Sequence, residues 1–276
     1  MTVSRVAVVK GPRGHAPVLN ALDLIDYKEA LKGWDRALVK VNFITTKTWD
    51  TGATTDPIVV EALIQRLKKL PLEVIVVESD ATTTNATKAF HATGMAEMCE
   101  RNGVEWINLR HDKDRVELPI PGGATLKKIV VPRIVAESGI VSVAKMKTHT
   151  VTDVTLGMKN LFGLLPDKFK GKFHIKGMHK VVADITTAIN PHLTVVDGFV
   201  AMEGRGPVGG SPVQMETIVA GRDVVAVDAT ASRLMGIDPH TIGHIMMAYE
   251  RGLGEVDSVE VVGESLADAV RVFKRP

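Results

Sequence analysis

Runs of β-branched and aliphatic residues recur along this chain, and helix-type segments separate them. The run at residues 73–80, EVIVVESD, is continuously apolar through its centre, which is typical of a strand buried on both faces of a parallel sheet. Helical segments with clear start signals follow such runs, for example at Asp56-Pro57, where the acid can cap and the proline can occupy the first turn. This alternation predicts an α/β fold with a largely parallel mixed sheet and helices on both faces.

The pattern predicts a single α/β domain over residues 1–276, and two stretches interrupt it. Residues 112–126 are charged and rich in turn residues, which indicates a small inserted hairpin or subdomain. Residues 150–180 combine glycine with many lysines and histidines. We interpret them as a basic, glycine-rich loop region that covers a ligand.

Composition excludes several classes of protein. The chain is 45% hydrophobic and 24% charged, with a formal net charge of +2, so nothing indicates disorder, nucleic acid or a membrane as partner. Its single cysteine, Cys99, excludes a disulfide framework and an iron–sulfur cluster held by this chain alone. No apolar stretch approaches the ~20 residues of a membrane span, and residues 1–14 lack a signal-peptide pattern, which predicts a cytoplasmic location.

Polar and charged residues follow four of the predicted strands, at the point where each strand ends. They are Lys40 and Asn42, then Glu78 and Asp80, then Lys145, Lys147 and His149, and finally Asp197. In an open α/β sheet, ligands bind outside the carboxyl ends of the strands. The sequence therefore predicts one site composed from four strands.

The segment at residues 145–163 indicates the kind of ligand. Its lysines stand among glycine, threonine and asparagine rather than among glutamate partners. If residues 152–160 form a helix, Asp153, Gly157 and Asn160 share one face of it. Ammonium and amide groups beside a helix start suit an anion, so phosphate or carboxylate is the expected ligand class.

We hypothesise roles for twelve residues. The candidates for catalysis are His149, Lys145, Asp197 and Glu203. The candidates for ligand binding are Lys40, Asn42, Thr55, Asp80, Lys147, Lys159, Asn160 and Arg205. His149 is the candidate general acid or base, because histidine ordinarily titrates near neutral pH. Glu203 and Arg205 flank or enter a glycine-rich loop, residues 204–210, whose backbone a ligand can approach closely.

A divalent metal is an open alternative. His149, His174 and His179 lie within 31 positions, and carboxylates are available to complete a ligand set. None of these three histidines belongs to a His-x-x-x-His pair, and the chain has no HExxH motif, so the spacing itself does not identify a metal.

Several short motifs together resemble the family called domain of unknown function 362. They are Lys40-Val-Asn42, Ala53-Thr-Thr-Asp56-Pro57, Glu78-Ser-Asp80, Lys145-x-Lys147-Thr-His149, Thr155-Leu-Gly-Met-Lys159-Asn160, Asp197-Gly198, Glu203-Gly-x-Gly206-Pro207-x-x-Gly210 and Asp223-x-x-Ala-x-Asp228. The chain departs from the family at Val41, where proline is usual. The resemblance implies an association with ferredoxin-like iron–sulfur modules, which this chain could enter only as a partner.

These observations lead to one principal hypothesis and two alternatives. The principal one is a soluble enzyme that binds a small anionic metabolite at the strand ends and uses lysine, histidine and carboxylate groups for acid–base chemistry. The first alternative is a non-catalytic ligand-binding or redox-partner module of iron–sulfur proteins. The second is a metal-dependent isomerase or racemase.

Overall fold

The structure, a computed structural model, describes residues 3–167 and 170–276, apart from the side chains of Lys172 and His174. Its strands are β1 (Ser4–Lys10), β2 (Arg36–Lys40), β3 (Glu73–Glu78), β4 (Glu105–Asn108), β5 (Arg115–Pro119), β6 (Lys128–Pro132), β7 (Gly139–His149), β8 (Asp153–Thr155), β9 (Leu193–Glu203), β10 (Ser211–Gly221) and β11 (Val259–Gly263).

Helices connect most of these strands. They are α1 (His15–Leu24), α2 (Tyr27–Ala30), α3 (Pro57–Leu67), α4 (Ala86–Ala92), α5 (Met95–Arg101), α6 (Arg133–Ala136), α7 (Gly157–Asn160), α8 (Gly171–His174), α9 (Met178–Ala188), α10 (Val224–Leu234), α11 (Gly243–Glu250) and α12 (Leu266–Ala269). Short 3-10 helices lie at Trp49–Thr51, Leu109–His111, Leu161–Leu164 and Pro239–Thr241. The predicted cap of α3 is confirmed, because the Asp56 side chain accepts the N–H of Ile58.

In the described part of the chain, nine strands form one sheet in the order β11-β1-β10-β9-β7-β2-β3-β4, with β8 paired to β7. Strands β11, β1, β9, β7, β2, β3 and β4 all run in one direction, and β10 is antiparallel to both of its neighbours. The predicted largely parallel, mixed sheet is confirmed.

Helices cover both faces of this sheet. On β2, Leu38 packs in a buried cluster with residues of α9 and α10, whereas its neighbour Val39 packs in a second cluster with residues of α1 and α3. Successive strand residues point to opposite faces, so each cluster covers one face. Burial on both faces explains why the strand sequences are continuously apolar.

The order of the strands creates a crevice beside β2. The chain proceeds from β2 to β3 and β4 on one side, then returns to place β7 and β9 on the other side. The helices that follow β2 and β7 therefore pack on opposite faces of the sheet, and the carboxyl ends of these two strands leave a gap between them. The four strands from which the sequence predicts a site are consecutive neighbours in the sheet.

The expectation of one helix over residues 152–160 is wrong. The chain reverses after β7, and β8 pairs antiparallel with it, so that Thr155 lies opposite Lys147. Only Gly157–Asn160 is helical, and the backbone N–H groups of Gly157 and Met158 donate to the buried Asp228. Pairing with a neighbouring strand outweighs the helical spacing, so Asp153 and Asn160 do not share a helix face.

The two predicted irregular stretches contain regular structure. Strands β5 and β6 form an antiparallel two-stranded sheet, whose second strand lies past the predicted end of the insertion at residue 126. The region predicted as a loop, residues 150–180, holds β8, α7, α8 and a 3-10 helix, while residues 168 and 169 lie outside the described residues.

Asp184, on α9, attaches the turn between β5 and β6 to the core. The fully buried carboxylate accepts N–H groups of Ala124, Thr125 and Leu126 at 2.8 Å each, and an Arg251 guanidinium at 2.9 Å. Burial alone would raise the pKa of Asp184, but these donors outweigh burial and lower it.

Replacing Asp184 with alanine should lower the free energy of unfolding by about 2–4 kcal/mol, because it leaves buried N–H groups without acceptors. Since the folded-state pKa is lowered, this stability is present above the unfolded pKa of aspartate and is lost as pH falls through the folded value. Urea unfolding across acidic pH measures both effects. Asp114→Ala, at an exposed hairpin carboxylate, is the control, and an equal loss in both variants would contradict the assignment.

Candidate functional site

A cavity of ≈ 280 Å³ lies beyond the carboxyl ends of β2, β3 and β7. This volume is close to the lower end of the range for small-molecule sites, ~300–1,000 Å³. Its lining consists of Lys40, Asn42, Phe43, Ile44, Glu78, Ser79, Ala81, Thr82, His149, Thr150, Val151, Lys159, Asn160, Phe162, Gly163, Lys170 and Pro207.

A buried ion pair forms the floor of the cavity. Lys40, 1% exposed, lies 2.9 Å from the carboxylate of Glu78, 3% exposed. Glu78 also accepts the backbone N–H groups of Phe43 and Ser79, which fixes the chain after β2 and after β3. Burial lowers the pKa of Lys40, and the Glu78 carboxylate opposes that shift.

Asn160, at the end of α7, connects this ion pair to the neighbouring strands. Its Oδ1 accepts from Lys40 Nζ at 3.1 Å and from Asn42 Nδ2 at 3.0 Å, while its own amide donates to Lys40 O and Ser142 Oγ. The side chain is therefore saturated with protein partners. By contrast, Asn42 Oδ1 is buried and has no hydrogen-bond partner in the described residues.

Two further lysines lie on the ring of Phe162. The Nζ atoms of Lys159 and Lys170 are 4.7 and 5.3 Å from the ring centroid. Burial, followed by the charges of Lys170 and Lys40, lowers the pKa of Lys159 to about 8. Burial also lowers the pKa of Lys170 to about 8, although the Glu78 carboxylate opposes the shift.

His149 is held at the end of β7 in one tautomer. Its Nδ1 accepts the backbone N–H of Val151 at 3.0 Å and that of Thr152 at 3.3 Å. An imidazole nitrogen that accepts hydrogen bonds carries no proton, so the neutral ring carries its proton on Nε2. The neutral ring can therefore donate a hydrogen bond from that atom.

The charges of the described lining residues do not cancel. The cavity presents the ammonium groups of Lys40, Lys159 and Lys170 against the single carboxylate of Glu78. Such an excess of buried positive charge is costly without a counter-ion, because burial removes the solvation of each ammonium group. An anionic ligand would supply that counter-ion.

Five of the twelve residues predicted for the site line this cavity. They are Lys40, Asn42, His149, Lys159 and Asn160. The other seven do not line it, and each has a different environment.

Lys145 and Asp197 form a fully buried ion pair at 2.8 Å, each 0% exposed. Asp197 also accepts the backbone N–H groups of Asp56 and Phe199. The two residues are partners in the register of β7 and β9. Their predicted catalytic roles stay predictions, and their contacts here connect two strands and the start of α3.

Four of the remaining five residues form hydrogen bonds with other parts of the fold. Lys147 is fully buried and donates to the carbonyl of Ala53 at 2.6 Å. Thr55 Oγ1 accepts the Asn42 N–H and donates to Val143 O, so it positions Asn42 through the backbone.

Asp80 accepts the backbone N–H of Ala86 and the side-chain amide of Asn108. Glu203 accepts the Lys274 N–H, and Arg205 is exposed. The loop of these last two residues reaches the cavity through Pro207.

Several lining residues are absent from the predicted set. Glu78 and Ser79 end an apolar strand, which is the signal that identified the other strand-end residues. Lys170 belongs to the predicted ligand-covering segment, where nothing distinguished it from its neighbouring lysines. Phe162 carries no sequence signal, because an aromatic residue in a short helix is ordinarily a core residue.

The three histidines considered for a metal have separate environments. His149 lines the cavity, and His179 stacks on His244 with ring centroids 5.2 Å apart. The side chain of His174 lies outside the described residues. In the part of the chain that the structure describes, no group of three or more His, Cys, Asp or Glu side chains is arranged to hold a metal ion.

The protein is therefore an α/β protein with a cavity of metabolite size at the carboxyl ends of parallel strands. The chain belongs to the family described as Domain of unknown function (DUF362), which matches residues 37–233. This range contains every lining residue of the cavity. The resemblance drawn from the short motifs is thereby confirmed.

One relative is Thylakoid-associated protein sll1697 of Synechocystis sp. It is 27% identical over 227 residues, which cover 80% of this chain and 69% of that protein. Across residues 3–167 and 170–276, every helix is too short or too polar to cross a bilayer.

Replacing Lys145 with methionine should lower the free energy of unfolding by about 3–5 kcal/mol, because Asp197 is left as an unpaired buried charge. The double variant Lys145→Met/Asp197→Asn should recover part of that loss. Urea unfolding of the wild type, of Lys145→Met, of Asp197→Asn and of the double variant measures the coupling between the two residues. Lys159→Met is the matched control, since that lysine has no carboxylate partner among the described residues. A Lys145→Met protein with unchanged stability and abolished ligand binding would instead support the predicted catalytic role.

Proposed function

We propose that this protein is an enzyme that binds a small metabolite carrying a carboxylate or phosphate group in the cavity and transfers a proton to or from it. The observation that carries the proposal is the charge of the lining, where three lysines face one glutamate. Two of those lysines, Lys159 and Lys170, have no carboxylate within ion-pair distance among the described residues.

The surroundings strengthen the attraction for an anion. Charges interact more strongly in a buried site than in water, because less solvent screens them. Lys40, Glu78 and Asn160 are each 3% exposed or less and bonded to one another, so the floor of the cavity is buried and fixed. A ligand of about this volume would exchange its hydration for ammonium donors that are already in position.

Proton transfer is the chemistry that these groups favour. A pKa of about 8 leaves a part of the Lys159 population neutral near pH 7, and this is the range in which a lysine can act as a base. His149 offers a hydrogen bond from Nε2–H, since its Nδ1 accepts two backbone N–H groups. The two groups line the same cavity and would serve as base and as hydrogen-bond donor toward one ligand.

Binding of oxalate should weaken as pH rises above about 8, because Lys159 and Lys170 lose their protons there. Between pH 7 and pH 9.5 we expect the affinity to fall by about tenfold or more, since each lysine has a pKa of about 8. Oxalate keeps its charge over this range, so titration calorimetry reports the protein groups alone. An affinity that is flat with pH would contradict the assignment.

Variants separate the cavity from the rest of the surface. Lys159→Met and Lys170→Met should each weaken oxalate binding, whereas Lys28→Met, at an exposed lysine of α2, should leave it unchanged. A screen of carboxylated and phosphorylated metabolites for thermal stabilisation, followed by assays for proton exchange, then identifies the substrate. Saturable binding with no turnover or exchange would leave a ligand-binding module and reject the acid–base part. The cytoplasmic location, the iron–sulfur partner and the divalent metal stay predictions.

A further inference from the structure

The three lysines of the cavity differ in how their ammonium groups are held. Lys40 Nζ donates to Val41 O, Glu78 Oε2 and Asn160 Oδ1, and Lys170 Nζ donates to Ser79 Oγ and Phe162 O. Lys159 Nζ has no hydrogen-bond acceptor among the described residues, and it lies over the face of the Phe162 ring in a cation–π contact.

This difference matters for reactivity. A lysine fixed by carboxylate and carbonyl acceptors is stabilised as the ammonium ion, whose nitrogen has no lone pair to offer. A lysine that is desolvated, lacks acceptors and lies beside another cation is stabilised as the neutral amine, which is the nucleophilic form. Lys170, on the same aromatic ring, supplies the neighbouring cation.

We propose that Lys159 is the covalent catalyst of this cavity and forms an imine with the aldehyde or 2-oxo group of an anionic substrate. This inference rests on the proposed function and deepens it by naming the substrate class as carbonyl compounds that carry a carboxylate or phosphate. Lys170 holds the anionic group, and the Lys159 amine meets the carbonyl carbon.

The step needs no oxidant or reductant. The Lys159 lone pair attacks the carbonyl carbon, an N–C bond forms, the C=O π electrons move to oxygen, and a proton passes from nitrogen to that oxygen to give a carbinolamine. The hydroxyl group then takes the second nitrogen proton and leaves as water, and the nitrogen lone pair forms the C=N bond of an imine, which takes a proton from solvent. The Nε2–H of the neutral His149 ring can hydrogen-bond the substrate oxygen during both steps.

An imine would also connect Lys159 to the proposed proton transfer. Protonated imine nitrogen withdraws electrons from the adjacent carbon, so a C–H bond there becomes more acidic.

Trapping with glyoxylate tests the proposal on the wild-type protein. Glyoxylate carries an aldehyde and a carboxylate, and sodium cyanoborohydride reduces an imine to a stable secondary amine that peptide mass spectrometry locates. At pH 7.5 the neutral fraction of Lys159 is about a hundredfold above that of an ordinary lysine, so it should be modified well before the exposed lysines. Oxalate, which has a second carboxylate in place of the aldehyde and so no reactive carbonyl, should protect it.

Variants and outcomes separate this inference from the proposed function. Lys159→Arg should lose the trapped adduct and keep oxalate binding. If the larger guanidinium does not fit, Lys159→Gln should also lose the adduct, with oxalate binding weakened as in Lys159→Met. Lys28→Arg, at an exposed position, should change neither. Modification spread evenly over the surface lysines, or modification of Lys170 in place of Lys159, would overturn the imine. Failure of oxalate to bind the wild-type protein would overturn the proposed function itself.

Discussion

The ion pair of Lys40 and Glu78 is the interaction on which the site depends. It lies beside β2, where the order of the strands in the sheet reverses. It brings together the chain after β2, the chain after β3 and, through Asn160, α7. Gly163 packs directly against it, since a Cβ atom there would lie 2.3 Å from both Lys40 Nζ and Glu78 Oε1. Because both partners are buried and saturated, the pair fixes the shape of the cavity floor and leaves little charge for a ligand to neutralise.

In the proposed function, attraction for an anion therefore comes from the lysines outside that pair. Lys159 and Lys170 share the ring of Phe162, and burial lowers the pKa of both to about 8. Burial of their charges is unfavourable, and in the proposed function the charge of a bound anion offsets this cost. The same lowered pKa is the basis for proposing Lys159 as a base or a nucleophile, so the proposal places anion binding and chemistry in one set of side chains.

The sequence predicted the sheet and the edge at which the cavity lies, because β-branched runs and strand-end polar residues are local signals. It could not distinguish a cavity residue from a buried partner of the sheet. Lys145 and Asp197 look like site residues until the register of β7 and β9 places them opposite each other. The segment at residues 152–160 has helical spacing, yet pairing with β7 makes its first part a strand. Both outcomes depend on contacts between distant parts of the chain, which a single sequence does not reveal.

An oxyanion located directly in a crystal tests the central claim, that the cavity concentrates positive charge for an anionic ligand. Crystals soaked in selenate give an anomalous signal that identifies the selenium position without prior assumptions. The account predicts a peak inside the cavity, with selenate oxygens about 2.7–3.2 Å from the Nζ atoms of Lys159 and Lys170. An empty cavity in crystals that bind selenate elsewhere would contradict it.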